Sequence, residues 1–250
     1  MKINIHAGHN PDGKIACGAV GLIKESTEAR KIKDKVIQYL RKAGHTAYDC
    51  TCNDGTSQND VLKKIITKCN SYTVDLDVSI HFNSGANDKK GNDKTTGTEV
   101  LVYSEKSKSL DEAKRIVSKL ASIGFKNRGV KIRNDLYYLR KTKAPALLIE
   151  VCFVDDVDDV ALYKKNIDKI AKTIAEAIVN KKISTNTVSS VKYIVTASIL
   201  NIRKGSGTKY ALTGQVYKKG TEVTVTQYNS SKTWGLTSKG WVSMEYLKKV

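Results

Sequence analysis

No run of apolar residues in these 250 approaches the roughly 20 needed to cross a bilayer. The first nine residues alternate like a strand and lack the apolar core of a secretory signal, so the expectation is synthesis and folding in the cytoplasm. Cysteine gives no framework either. Cys17, Cys50, Cys52, Cys69 and Cys152 are an odd set without regular spacing, which fits reduced thiols better than a disulfide scaffold. Cys50 and Cys52 lie near His45, but one intervening residue is too few for the usual zinc-knuckle spacing.

Acidic residues are outnumbered, 25 against 43 basic ones, leaving a formal charge of +18. Such a balance calls for a polyanionic partner: DNA, RNA, acidic phospholipid or the anionic polymers of a bacterial wall. Arginine is scarce, with seven among the 43 basic residues. Proteins that read DNA sequence lean on arginine for bidentate contacts to guanine, so a lysine surface points to unspecific attraction and no specific nucleic acid.

What the chain does contain, up to about residue 180, is alternation of strands and helices. Lys2–His6 reads as a strand, Glu25–Ala43 as an amphipathic helix closed by Gly44, and Asn59–Cys69 as a shorter helix. In Leu76–Phe82 the residues Leu76, Val78 and Ile80 face one way and Asp77, Ser79 and His81 the other. Thr98–Tyr103, Leu110–Ile123, Ala146–Val151 and Asp158–Lys181 continue as strand, helix, strand and closing helix. The class expected is α/β, with a mostly parallel sheet covered by helices on both faces and a site at the carboxyl ends of the strands. Residues 181–190 read as a linker, and 191–250, with short β runs between Gly, Ser and Asn clusters, as a small all-β barrel.

Four residues of the first 150 carry chemistry: His9, His81 and Glu150 at or just past the ends of predicted strands, and Glu25 at the start of a predicted helix. Two histidines and a carboxylate can hold one zinc and leave a position open for water. Each has a plainer reading. His9 follows Gly8 in a loop and could simply be solvated, Glu25 could be a favourable charge near a helix N-terminus, and His81 could lie on the outer side of a half-buried strand. Glu150 ends the apolar run Ala146–Ile149, where an ionised group is costly unless a salt bridge or a metal compensates it. Such surroundings would also raise its proton affinity into a range useful for acid/base work.

The segments Gly8-His9, Glu25, Ser79-Ile80-His81-Phe82-Asn83, Arg128-Gly129-Val130, Leu139-Arg140 and Pro145 through Glu150, in this order, resemble the zinc-dependent N-acetylmuramoyl-L-alanine amidases over residues 1 to about 180. The resemblance implies a six-stranded sheet, zinc on His9, Glu25 and His81, and Glu150 as the catalytic acid/base. It also implies cleavage of the amide joining muramic acid to the first alanine. Two positions depart from the family pattern: His6 stands where an acidic residue is frequent, and Cys152 where glycine is. The segments Leu200–Thr208 and Gly240-Trp241-Val242 resemble a bacterial SH3-type domain, which in wall enzymes binds peptidoglycan. Tyr210, Trp234 and Trp241 could line a groove there, though Trp241 reads better as core.

The expectation is therefore a modular peptidoglycan hydrolase of endolysin type, with domains 1–180 and 191–250 joined by the 181–190 linker. It would act on the bacterial wall after phage-type release and be held there partly by lysines drawn to anionic wall polymers, without inserting in membrane. The alternatives are a zinc peptidase cutting within the stem peptide and a non-enzymatic polyanion-binding protein.

Overall fold

Alternation along the first strand puts Ile3 and Ile5 on one side and Asn4 and His6 on the other, and all four are buried. The computed structural model describes residues 1–183, 191–229 and 231–250, and the chain divides into units Met1–Ile183 and Ser184–Val250. The first unit runs β1 (Lys2–Ala7), α1 (Glu25–Lys42), β2 (Thr46–Asp49), α2 (Gln58–Asn70), β3 (Leu76–Asn83), β4 (Thr98–Val102), α3 (Leu110–Ala121), β5 (Asn127–Ile132), α4 (Tyr137–Lys141), β6 (Ala146–Phe153) and α5 (Val157–Val179). Its sheet has the order β2-β1-β3-β6-β4-β5. Neighbours are parallel except β4 and β6, which run antiparallel.

The larger core lies on the face bearing Ile3, Ile5, Val78, Ile80, Leu147 and Ile149, packed by α1, α3 and α5. In α1 the buried Ala29, Ile32, Val36 and Leu40 recur at helical spacing, and the helix stops where Gly44 turns left-handed at φ +84°. The opposite face carries Leu101, Ala146 and Leu148 under Val61 and Ile65 of α2 and Leu139 of α4. Ser57 starts α2 by accepting the backbone N–H of Asp60 at 3.1 Å.

This second layer corrects one expectation. The side of β3 that bears Asp77 and Ser79 is not half-exposed; both residues are buried beneath α2 and α4. Two strands also run further than their apolar patterns, β3 to Asn83 and β6 to Phe153, so His81 and Glu150 lie inside strands instead of at their ends. The elements β2, β5 and α4 were not expected. Asn127–Ile132 has little apolar patterning, and five residues of α4 are too few to show a helical period.

In the second unit β10 (Glu222–Val225), β7 (Val191–Val195) and β14 (Leu247–Lys249) form one antiparallel sheet. Its companion has the order β11 (Gln227–Tyr228), β12 (Trp234–Thr237), β13 (Gly240–Ser243), β8 (Ile199–Arg203) and β9 (Leu212–Lys218). Val195, Leu200, Ile202, Tyr217, Val223 and Val242 make the core. Trp241 is not part of it and is only half-buried, because its strand neighbour Val242 takes the inward position. Residues 184–190 of the expected linker lie outside the described residues. Among the described residues no helix is long and apolar enough to cross a membrane, and the five cysteines are free.

The buried face of β3 has a measurable consequence. Asp77 accepts Asn4 Nδ2 at 2.7 Å, and burial raises its carboxyl from 3.8 to about 6. Between those values the folded chain keeps a proton that the unfolded chain has released, so unfolding free energy should fall as pH rises from 3.8 to about 6. The loss is of the order of 2–3 kcal/mol. Asp77→Asn should flatten that segment of the profile in urea titrations; a slope unchanged from the parent would place its origin elsewhere.

Candidate metal centre and its cleft

Strand register assembles the site in two rows on one face of the sheet. His81 of β3 pairs with Glu150 of β6, which pairs with Glu99 of β4. Two residues deeper, His6 of β1 pairs with Ser79, Ser79 with Leu148, and Leu148 with Leu101. Because side chains two apart on a strand share a face, both rows point into the layer capped by α2 and α4.

His9 enters from the turn after β1 with φ +67°, a left-handed conformation that a non-glycine residue adopts at a cost. Its backbone is held by Arg30 of α1, whose guanidinium donates to His9 O at 2.9 Å and to Cys52 O at 3.0 Å. Asn10, fully buried, ties the same turn to Ile15 O and Gly55 O. Two glycines leave room for the ligand side chains. A Cβ at Gly8 would lie 2.0 Å from His81 Cε1, and one at Gly18 would lie 2.5 Å from Glu25 Oε2.

Glu25, in the first turn of α1, is the point of convergence. Its Oε1 faces His81 Nδ1 at 2.9 Å and His9 Nε2 at 3.3 Å, and accepts the backbone N–H of Phe82 at 3.2 Å. Its Oε2 accepts the backbone N–H of Ala19 at 2.8 Å. Burial alone would raise this carboxyl, but hydrogen bonds from His81 and His9 outweigh it and hold Glu25 well below the usual carboxylate range. Burial lowers His81, outweighing the attraction of Glu25. The three side chains offer two imidazole nitrogens and a carboxylate oxygen within 4.8 Å of one another, a donor set that suits zinc.

Glu150 lies across the strand pair from His81 and outside that cluster. Burial first, then the charges of Glu25 and Glu99, push its carboxyl well above the ordinary carboxylate value, against the pull of Arg133. Its Oε2 is fully shielded and has no hydrogen-bond partner in the protein. A carboxyl of raised proton affinity thus stands one strand away from the candidate metal-binding group. Glu99 is itself fixed by Asn83 Nδ2 and Arg128 Nε, each at 2.8 Å.

His6 is not a member of the metal-binding group. It is buried, stands edge-on to Tyr138 with ring centroids 4.7 Å apart, and burial followed by the proximity of His81 lowers it to about 3. Cys50 and Cys52 are both buried. The cleft in front of the site holds about 250 Å³ and is walled by Val61, Leu62 and Ile65 of α2, with Arg133 and Gln58 at its margin. Arg30, Asn10 and Glu99 escaped the sequence reading. Arg30 acts on backbone carbonyls, which no residue pattern marks.

Residues 3–180 match the family described as N-acetylmuramoyl-L-alanine amidase. The chain belongs to that family. It is 40% identical over 188 residues to an uncharacterized protein of Clostridium perfringens strain 13, covering 74% of this chain and 54% of that protein. It therefore spans about half the length of that relative. The endolysin of Bacillus phage SPP1 is 31% identical over 215 residues, covering 81% of this chain and 67% of the endolysin. Among solved structures, the catalytic domain of the CD27L endolysin, which targets Clostridia difficile, superposes with a TM-score of 0.65 at 33% identity, covering 74% of this chain and 99% of that domain. The amidase CwlV catalytic domain, at 24% identity and a TM-score of 0.59, shares the fold.

The amidase family is zinc-dependent, and His9, Glu25 and His81 form a candidate site for the ion in this chain. Two glycines offer a controlled test. Gly13 and Gly18 share φ +81°, yet a Cβ at Gly13 meets nothing within 4 Å while one at Gly18 strikes Glu25 and His9. Either change to alanine should cost about 1–2 kcal/mol of stability for the left-handed backbone. Gly18→Ala should additionally weaken zinc binding by roughly 10–100-fold, read by competition with a chromophoric chelator. Equal zinc affinity in the two variants would remove Glu25 and His9 from the site.

Proposed function

We propose that this chain is a peptidoglycan hydrolase that cleaves the amide between N-acetylmuramic acid and L-alanine, with zinc held by His9, Glu25 and His81. The observation that carries this reading is Glu150: a carboxyl raised well above its ordinary value, with an unpartnered oxygen, one strand away from the metal-binding cluster. When bound, zinc supplies a Lewis acid that activates water and polarises the scissile carbonyl. Glu150 takes the proton released as water adds to the amide carbon, then returns it to the departing alanine nitrogen, so one residue serves as base and acid in turn. His9 Nε2 and His81 Nδ1 are the imidazole atoms turned toward Glu25 and would be the ligating ones. The backbone N–H groups of Ala19 and Phe82 keep the Glu25 carboxylate in place. Glu99, locked by Asn83 and Arg128, holds a negative charge against Glu150 and favours its protonated form between turnovers.

The second unit serves, in this reading, as an SH3-type wall-binding module. Its groove is lined by Leu200, Arg203, Thr208, Trp234 and Tyr246, with Trp234 the aromatic platform; Tyr210 and Trp241 lie outside it. Joining the two units raises the local concentration of the catalytic one at the wall, and the excess of lysine adds attraction to anionic wall polymers. A stem-peptide zinc peptidase would share the ligands, and the product separates the two: amidase action frees an alanine amino terminus and leaves the glycan intact. Mass spectrometry of fragments from purified peptidoglycan decides it, and an internal stem-peptide cut would overturn the assignment.

Two variants test the parts. Glu150→Gln keeps shape but cannot accept the proton, so turnover should drop by roughly 10²–10⁴ with zinc content and wall binding near those of the parent. Lost zinc would instead make Glu150 a fourth ligand, and preserved turnover would make it structural. The unit Met1–Ile183 contains the whole cleft and a continuous core. Alone it should hydrolyse soluble muropeptides at the parent's rate and lyse intact cells poorly. Equal lysis of cells by the isolated unit would mean that the second unit does not target the wall.

A further inference from the structure

The chemistry proposed above uses the outer of the two side-chain rows and leaves the inner one without a task. That inner row holds His6 and Ser79, and Tyr138 of α4 closes over it. All three residues are at least 97% buried, and all three line the same cleft as His9, His81 and Glu150. Each presents a buried polar atom with no hydrogen-bond partner in the protein: His6 Nε2, Ser79 Oγ and the Tyr138 hydroxyl.

One orphaned buried polar atom costs stability, and native proteins carry few. Three on the floor of one cleft, beside the reacting groups, call for an occupant that uses them. The chemistry of that occupant follows from the lining. Val61, Ile65, Leu101 and Leu148 make the walls apolar. The floor offers neutral donors and acceptors: two hydroxyls, and an imidazole whose Nδ1 is turned to Ala7 O at 3.4 Å, leaving Nε2 free. No lysine or arginine lies at that depth. Arg133, the cation of the cleft, is paired with Asp135 at 2.8 Å. A carboxylate on this floor would lose its water and find no unpaired side-chain cation in the lining, whereas an amide would satisfy donors and acceptors alike.

We propose that His6, Ser79 and Tyr138 form the floor of a subsite that takes an uncharged amide group of the substrate between apolar walls. The subsite rests on the amidase reading and sets which variants of the wall polymer are cut well. Two parts of a muropeptide present such a group: an acetamido group on the sugar side and a primary carboxamide on the peptide side of the scissile bond.

The test uses the full zinc-loaded chain and the variants Tyr138→Phe and Ser79→Ala. Three soluble muropeptides serve as substrates: one with both amides, one with the peptide carboxamide replaced by carboxylate, and one with the sugar acetamido group replaced by a free amine. Removing an orphaned hydroxyl should leave the melting temperature unchanged or raise it. On the fully amidated substrate each variant should lose roughly tenfold in kcat/KM. The parent should also lose activity on one of the two altered substrates, and on that substrate the variants should equal the parent. The substrate on which the difference vanishes names the amide. Two outcomes overturn the subsite: variants that match the parent on every substrate, or variants that lose melting temperature and lose activity equally on all three. A zinc-loaded parent inactive on every muropeptide would instead sink the amidase reading, and the subsite with it.

Discussion

The carboxylate of Glu25 is the constraint on which the site depends. Its Oε1 meets two imidazole nitrogens and one backbone N–H, and its Oε2 meets another backbone N–H, so both oxygens are committed in a buried place. An ionised group there would ordinarily be expelled or protonated. Here the hydrogen bonds outweigh burial and keep it charged. Those hydrogen bonds come from His81 and His9, while the peptide N–H groups of Ala19, before α1, and Phe82, in β3, fix the carboxylate's position. A helix start and a central strand are thereby fixed to one point, and His9 and His81 inherit their positions from it.

The backbone around that point is shaped at the expense of local stability. His9 holds a left-handed conformation, and Gly8 and Gly18 have given up side chains that would collide with His81 and Glu25. Compensation comes from polar ties within the turn region, chiefly Arg30 to His9 O and Cys52 O and Asn10 to Gly55 O. Arg30 stands on the same helix as Glu25, at i+5, so α1 supplies the ligand carboxylate and also the clamp on a histidine beside it. The loop that carries His9 is consequently referenced to a rigid element, which is what a metal-binding residue outside regular structure requires.

Much of this was legible in the sequence, and what was not has physical reasons. The alternation of Leu76, Val78 and Ile80 against Asp77, Ser79 and His81 gave the two faces of β3 correctly, and strand–helix alternation gave the sheet. Periodicity could not tell that the polar face would be roofed by α2 and α4, because burial of a polar face depends on what packs over it. His81 therefore read as half-exposed, and the inner row of His6 and Ser79 was invisible as a row, since it exists only through the register of β1 with β3. Glu150 was noticed because a carboxylate in an apolar run is conspicuous, whereas Glu99, equally close to the chemistry, sits in a strand whose register with β6 no local pattern shows. In the second unit Trp241 reads as core from the sequence, but strand parity gives the inward position to Val242.

The same parity explains why Glu150 and the candidate metal-binding group lie together. His81 and Glu150 are register partners on one face, so Glu25, gripping His81, brings its negative charge toward Glu150. Glu99 adds a second charge from the other side, and burial removes the water that would dilute both. Three carboxyl groups in so small a volume cannot all be ionised at low cost, and the one with an unpartnered oxygen is the one that keeps its proton. A dication at the His9–Glu25–His81 cluster would reverse part of that balance by adding positive charge close to Glu150.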